Sequence, residues 1–396
     1  MKSIIGSLLT LVSFLSCHSS VFAQITNHPQ RIVIIMFDGF GEEYYRNSNM
    51  PTLNEMERKG LYKVVPSLMP SVTNLNNAAI CTGEWPAVNG ITGNSFWNEK
   101  THTEDFMEDA ALLLSPTLFE RASTKGIKSI LFASKKKTIS LLYKGTSDTI
   151  SPETASPIWV KRIGTPPSIY SREVNYWLMQ SALYTLQHDS TMGIVYIHPT
   201  DYPMHTWAPE SNESKEYLAK MDSYIQQIKE AAPDAAILIT ADHTVTHKSL
   251  CWDLNKVCAK KNIPITIAIS PERDKYFKHH RGFGGTAYVY VTNTKERDKA
   301  KAAIAALQGV DEVLTKEEAV KRFHLMGNRI GDLVVLGSKE TVFGDLDTES
   351  EMLPNTYRSH GSLYDARVPL FVYNAKGAPT ADYFKYNYQL ASWLFR

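Results

Sequence analysis

Arg31-Ile32-Val33-Ile34-Ile35-Met36-Phe37 is an unbroken apolar run rich in β-branched residues, and it stops abruptly at Asp38-Gly39. Such a run belongs to a strand buried on both faces, as in a parallel sheet, because a strand with one wet face would alternate. Comparable runs recur at Ser129–Ala133, Gly193–Ile197, Ala236–Thr240 and Val368–Val372, each next to a helical segment. A helix is expected at Thr52–Lys59 and a short strand at Tyr62–Val65. Between Asn212 and Lys229, Tyr217, Met221, Tyr224, Ile225 and Ile228 make one apolar helical stripe. Buried strands alternating with amphipathic helices give an α/β fold with a mainly parallel central sheet flanked by helices. Sheets of this kind bind ligands beyond the carboxyl ends of their strands.

The pattern changes after His247. Ala287–Thr292 and Asp332–Leu336 read as strands, and Lys295–Leu307 and Lys316–Phe323 as helices. The Val368 strand comes only afterwards. Residues 24–246 and 359–396 are therefore expected to form a catalytic α/β domain interrupted by a smaller α+β cap over 247–358. At the N-terminus, Lys2, the apolar stretch Ile4–Leu15 and the ending Val21-Phe22-Ala23 have the build of a cleaved signal peptide over 1–23, which implies export to the periplasm or medium. Leu15-Ser16-Cys17 offers a lipid anchor on Cys17 as the alternative. No later segment reads as transmembrane.

With 42 basic against 41 acidic residues, the chain has no overall field to attract a nucleic acid polymer or an anionic membrane, so an anionic substrate must be held locally. Cys251 and Cys258 are either a disulfide or two separate thiols.

Asp38 ends the first run, Asp201 and His205 follow the Gly193 run, Asp242-His243 ends the Ala236 run, and His360 precedes the Val368 run. Taken singly these are a turn, helix caps and hydrogen-bonded histidines. Together they put three carboxylates and three imidazoles at one sheet edge, a donor set that suits divalent metal, zinc first. Two ions with three ligands each keep positions open for water and substrate. Pro70-Ser71-Val72-Thr73 opens a helical segment, which makes Thr73 either an N-cap or a nucleophile at a helix N-terminus. The tight Gly90–Asn94 loop could aim the Asn94 amide at the same anion.

These residues resemble the alkaline phosphatase superfamily, in particular its nucleotide pyrophosphatases/phosphodiesterases and phosphonoacetate hydrolases. Met36-Phe37-Asp38-Gly39-Phe40 is similar to the family's first ligand strand end, Pro70–Thr73 to its nucleophile loop, and Gly93-Asn94 to its oxyanion contact. Asp201 with His205, Asp242-His243 and His360 match the remaining ligands. The resemblance implies one ion on Asp201, His205 and His360 and another on Asp38, Asp242 and His243, with Thr73 between them. The ions would be Zn2+, or alternatively Mn2+. Thr73-Asn74-Leu75-Asn76-Asn77, Thr200-Asp201-Tyr202, Asn328–Asp332 and Arg358-Ser359-His360-Gly361 are specifically similar to phosphonoacetate hydrolase. That likeness implies cleavage of a small anionic phosphorus compound to acetate and phosphate.

It also implies that Lys135, Lys137 and Lys248 hold the substrate carboxylate, although Lys135–Lys137 also reads as a solvated loop. Asp242-His243-Thr244 departs from the family's Asp-His-Gly. One alternative is a nucleotide pyrophosphatase/phosphodiesterase with a base slot drawn from Trp97, Tyr202 or Trp207. Another, of a different class, is a non-catalytic surface-binding protein. A homodimer is compatible with either.

Overall fold

The computed structural model describes residues 30–396 apart from 277 and 279, so the expected signal peptide and Cys17 lie outside the described residues. Seven strands form one sheet in the order Leu61–Pro66, Arg367–Tyr373, Ala236–Thr240, Ile32–Met36, Met192–His198, Lys128–Ala133 and Asp148–Ile150. The Ile32 strand is central. Val33 lies opposite Val195 on one side and Ile237 on the other, both pairings parallel, and all five of its residues are buried. That two-sided burial is what its unbroken apolar run requires. Only the Arg367 strand runs against its neighbours, with Phe371 opposite Ile239 and Tyr62. The chain therefore enters that strand at the edge where the Ile32, Met192 and Ala236 strands end, which carries His360 to the other strand-end residues.

The helix at Asn212–Ala231 buries Tyr217, Met221, Tyr224, Ile225 and Ile228, the expected stripe. It also anchors the Pro51–Lys59 helix, because its Asp222 carboxylate accepts from Thr52 N at 2.9 Å and Leu53 N at 3.0 Å. These N–H groups have no partner within their own helix.

Between the Ala236 and Arg367 strands, a four-stranded antiparallel sheet runs Ile265–Ile269, Thr286–Val291, Leu333–Gly337 and Val310–Thr315. The helix expected over Lys295–Leu307 is shorter, at Arg297–Ala305. A 3-10 turn at Thr294–Glu296 precedes it because the Asn293 side chain accepts from Lys295 N. This cap has its own cluster, including Leu254, Cys258, Val289, Ile304 and Leu333. Its Ile269, Tyr288, Tyr290, Leu314 and Phe323 join the main core, so cap and sheet share one packed interior. Cys251 packs in a third cluster with Phe283 and Val342. Cys251 and Cys258 are free buried thiols in different clusters, so the disulfide alternative is not realised. Among the described residues, no helix is long and apolar enough to cross a membrane.

Two buried polar devices hold the loops at the sheet edge. Asn76 receives Leu68 N at 2.9 Å and donates to Leu68 O and Val72 O, and Asn387 bridges it to Ala241 O. The loop before Thr73 is thereby tied to the end of the Ala236 strand. The second device corrects an expectation. Lys248, expected at a substrate carboxylate, is fully enclosed and paired within the chain: its ammonium donates to Lys339 O at 2.9 Å and to both Asp365 oxygens at 3.0 and 3.2 Å. All three donors are used, as the desolvation of a buried ammonium demands. Asp365 in turn accepts from Ser362 and Thr246, fixing the turn that follows His360. Burial alone would raise the Asp365 carboxyl, but Lys248 and these hydroxyls outweigh it and hold its pKa below the usual range.

Replacing one member strands the other charge, so Asp365→Asn is expected to cost about 3–5 kcal/mol in denaturant unfolding. The double change Lys248→Met with Asp365→Asn is expected to recover much of it. A depressed carboxyl stabilises above its unfolded pKa and loses that contribution as pH falls, so the penalty of Asp365→Asn should shrink below about pH 4. Equal penalties in the single and double variants would contradict this.

Candidate metal centre

Asp38 lies just past the Ile32 strand, fully buried. Gly39 follows at φ +75, and a Cβ there would come within 3.1 Å of Asp201 Cβ, so glycine serves both the turn and the close approach. Its N–H donates to Asp242 Oδ1 at 3.1 Å, and His243 N donates to the same oxygen at 3.0 Å. Asp242 Oδ2 is left buried without a hydrogen bond, as is Asp38 Oδ1. His243 Nε2, likewise unbonded, faces these two oxygens at 3.2 and 3.4 Å.

The second group gathers on Asp201 Oδ2, which lies 2.8 Å from His205 Nε2 and 3.8 Å from His360 Nε2. Ligand atoms of Asp38, Asp242 and His243 lie within 4.8 Å of one another, and so do those of Asp201, His243 and His360. His243 stacks on His360 with ring centroids 3.4 Å apart and so stands at the junction of the two groups.

Each imidazole uses its Nδ1 on a backbone carbonyl: His243 on Thr244 O at 3.1 Å, His205 on Arg358 O at 2.8 Å, His360 on Ser71 O at 2.9 Å. Each Nε2 is thereby turned inward, that of His205 onto Asp201 Oδ2 at 2.8 Å, an arrangement typical of metal-binding histidines. Electrostatics point the same way. Burial, followed by repulsion from Asp201 and Asp242, raises the Asp38 pKa well above the carboxylate range. Asp38, Asp201, Asp242, Glu272 and Asp274 are all buried here, with only Lys135 and Lys137 as buried ammonium counter-charges. Buried carboxylates in such excess are eased by protonation or by cations, and the unbonded oxygens and nitrogens are where divalent metal could be held.

Thr73 is the first residue of the Thr73–Thr82 helix and is buried. Its neighbours are pinned to the centre, since Ser71 O receives His360 and Asn74 N donates to Asn94 Oδ1 at 2.9 Å. Lys135 and Lys137 are buried while Lys136 between them is exposed, which replaces the solvated-loop reading. Lys135 Nζ lies 3.5 Å from Asp201 Oδ1, and Lys137 Nζ donates to Asp274 Oδ2. Burial works against the Lys135 charge, but Asp201, Asp274, Asp38 and Glu272 overcome it and hold its pKa up.

Asn94 was expected to present its amide to substrate, yet Nδ2 donates to Glu272 O at 2.8 Å and Oε2 at 3.2 Å. Thr244, the departure from the family's glycine, is accommodated by Gly41, where a Cβ would fall 2.0 Å from Thr244 Oγ1. Of the aromatic residues considered for a base slot, Tyr202 packs edge-on to Tyr170 and Trp207 lies under Arg172. Trp97 belongs to the Ser95–Asn98 strand of a separate hairpin.

Sequence reasoning missed His198, Glu272 and Asp274. His198 Nε2 donates to Asp38 Oδ2 at 3.0 Å while Nδ1 meets Thr138 Oγ1, and burial pushes its pKa down to about 3. It is a neutral strut that orients Asp38. Its position at the end of the Tyr196-Ile197-His198 run carried the same strand-end signal as the ligands. Glu272 and Asp274 come from a cap loop with no periodic pattern to announce them.

The chain is similar to phosphonoacetate hydrolase from Sinorhizobium meliloti 1021, whose crystal structure in complex with phosphonoformate superposes with a TM-score of 0.83 at 28% identity over 92% of this chain and 95% of that one. Murine ectonucleotide pyrophosphatase/phosphodiesterase 5 shares the fold, with a TM-score of 0.65 at 14% identity over 87% of this chain and 88% of that one. Among curated relatives, the bis(5'-adenosyl)-triphosphatase ENPP4 of Bos taurus is 24% identical over 235 residues, 56% of this chain and 49% of that protein. Ectonucleotide pyrophosphatase/phosphodiesterase family member 7 of Mus musculus is 22% identical over 229 residues, 54% of this chain and 50% of that protein. These matches span about half the length of the curated relatives. The family model for type I phosphodiesterase / nucleotide pyrophosphatase matches residues 32–363, which include every strand-end residue described above, and the chain belongs to that family.

Proposed function

We propose that the protein is an exported, metal-dependent hydrolase of small phosphorus compounds that uses Thr73 as nucleophile and cleaves the C–P bond of phosphonoacetate or a close analogue. The observation that carries this reading is the inward-facing, hydrogen-bond-free set of Asp38 Oδ1, Asp242 Oδ2, His243 Nε2 and His360 Nε2, assembled beside the start of the Thr73 helix. On this reading the described part of 24–246 together with 359–396 is the catalytic body, and 247–358 is the cap.

Asp38, Asp242 and His243 would hold one zinc ion, and Asp201, His205 and His360 the other. Bound zinc supplies charge neutralisation and acidifies coordinated hydroxyls. Thr73 Oγ1 attacks phosphorus and the P–C bond breaks. The proton lost by Thr73 Oγ1 is matched by the one the leaving carbon gains to give acetate, and water then cleaves the threonyl phosphoester to phosphate and regenerates the hydroxyl. The positive end of the Thr73 helix favours the charge that collects on the phosphoryl oxygens. Lys135 and Lys137 sit at the same sheet edge, where an exchange of partners from Asp201 and Asp274 to a substrate carboxylate keeps both ammonium groups paired.

A second reading, nucleotide pyrophosphate or phosphodiester cleavage on the same residues, is favoured by the family to which the chain belongs. The non-catalytic reading is disfavoured, because burying ligand atoms without partners costs stability that a binding surface has no need to spend.

Thr73→Ala is expected to lower phosphate release from phosphonoacetate by at least about 10³-fold while leaving bound metal unchanged. Full activity in that variant would rule out the nucleophile. In the wild-type protein, phosphate release from phosphonoacetate should exceed nitrophenol release from a nucleotide p-nitrophenyl ester. The reverse order assigns the protein to the nucleotide reading.

A further inference from the structure

One carboxylate enters the centre from outside the six expected ligands. After the cap strand Ile265–Ile269, Ser270-Pro271-Glu272 is stitched to the body of the fold. Asn94 N donates to Pro271 O at 2.7 Å, Ser95 Oγ donates to Ser270 O at 3.3 Å, and the Asn94 amide donates to Glu272. Two glycines make room for the loop: a Cβ on Gly93 would come within 2.8 Å of Pro271 Cβ, and one on Gly284 within 2.5 Å of Glu272 Cβ. Thus held, the Glu272 side chain is only 3% exposed, and its Oε1 lies 3.0 Å from His360 Nε2. The two make a close ion-pair contact in which that nitrogen has no well-aligned hydrogen bond, so its inward side is still open to a metal.

Three of the spacings are those of neighbouring ligand atoms. Bonds of about 2.0–2.1 Å in a tetrahedral zinc site put neighbouring ligand atoms about 3.3 Å apart. His205 Nε2 to Asp201 Oδ2 at 2.8 Å, His360 Nε2 to Glu272 Oε1 at 3.0 Å and His360 Nε2 to Asp201 Oδ2 at 3.8 Å bracket that edge.

We infer that Glu272 is a fourth protein ligand to the ion held by Asp201, His205 and His360, delivered by the cap; this rests on the two-ion reading above. Four protein ligands close a zinc site, whereas catalysis needs an open position. Glu272 also occupies the Asn94 amide. The Glu272 side chain covers the coordination position and takes one of the two Asn94 amide bonds, the other going to its own main-chain carbonyl, so substrate gains the coordination position only when the side chain withdraws. Glu272 makes the cap a competitor for the site.

The test uses the full chain, stripped with chelator and titrated with zinc against a chromophoric chelator, then with cobalt(II) for its visible spectrum. Wild type is expected to bind two equivalents. Glu272→Gln should keep one site unchanged and weaken the other by about tenfold or more, with an altered cobalt absorption band. Glu272→Asp, which keeps the charge but shortens the reach, should weaken the same site. Arg273→Ala, whose exposed side chain pairs with Glu104 and Asp345, should bind metal as wild type does.

Circular dichroism of the stripped variants checks that they are folded. Two equivalents in wild type with affinity and cobalt spectrum unchanged in both Glu272 variants overturns the ligand assignment alone. Fewer than two equivalents in wild type overturns the two-ion reading and this inference with it.

Discussion

Mutual repulsion among buried carboxylates is the constraint on which the rest of this structure depends. Asp38, Asp201, Asp242, Glu272 and Asp274 are each nearly inaccessible to water, and the two nearby buried lysines cannot neutralise them all. Such a cluster is relieved either by protonation, toward which the raised Asp38 pKa points, or by bound cations, as the proposed metal centre would supply. Backbone N–H groups saturate one oxygen of Asp242, and His198 saturates one of Asp38. Carbonyls fix the outer nitrogen of each imidazole. What remains facing inward is a set of lone pairs.

The sheet explains how residues spread from Asp38 to His360 converge. Three adjacent parallel strands end at one edge and deliver Asp38, Asp201 and Asp242 to it. The antiparallel Arg367 strand starts at the same edge, so the chain can leave the body after the Ala236 strand, build the cap, and return with His360 in place. Lys248 and Asp365 belong to this return path: their pairing holds the turn after His360.

Much of this was legible in the sequence because it depends on periodicity and on strand ends. The Ile32, Gly193 and Ala236 runs announced buried strands, and Asp38, Asp201, His205, Asp242 and His243 followed at their carboxyl ends. The Thr73 helix begins where its hydroxyl-rich opening suggested. Tertiary pairing was not legible. Whether Lys248 reaches a substrate or Asp365 is decided by a partner 117 residues away. Glu272 and Asp274 lie in an irregular loop whose approach depends on how the cap packs on the body. His198 could have been found by the strand-end rule but reads as the last residue of an apolar run.

The central claim is that two divalent ions complete these buried groups. Anomalous diffraction at the zinc edge from crystals of the zinc-loaded protein tests it directly. The account predicts two peaks, one among Asp38, Asp242 and His243 and one among Asp201, His205 and His360. No peak at either place, with the same side chains still turned inward, would contradict it.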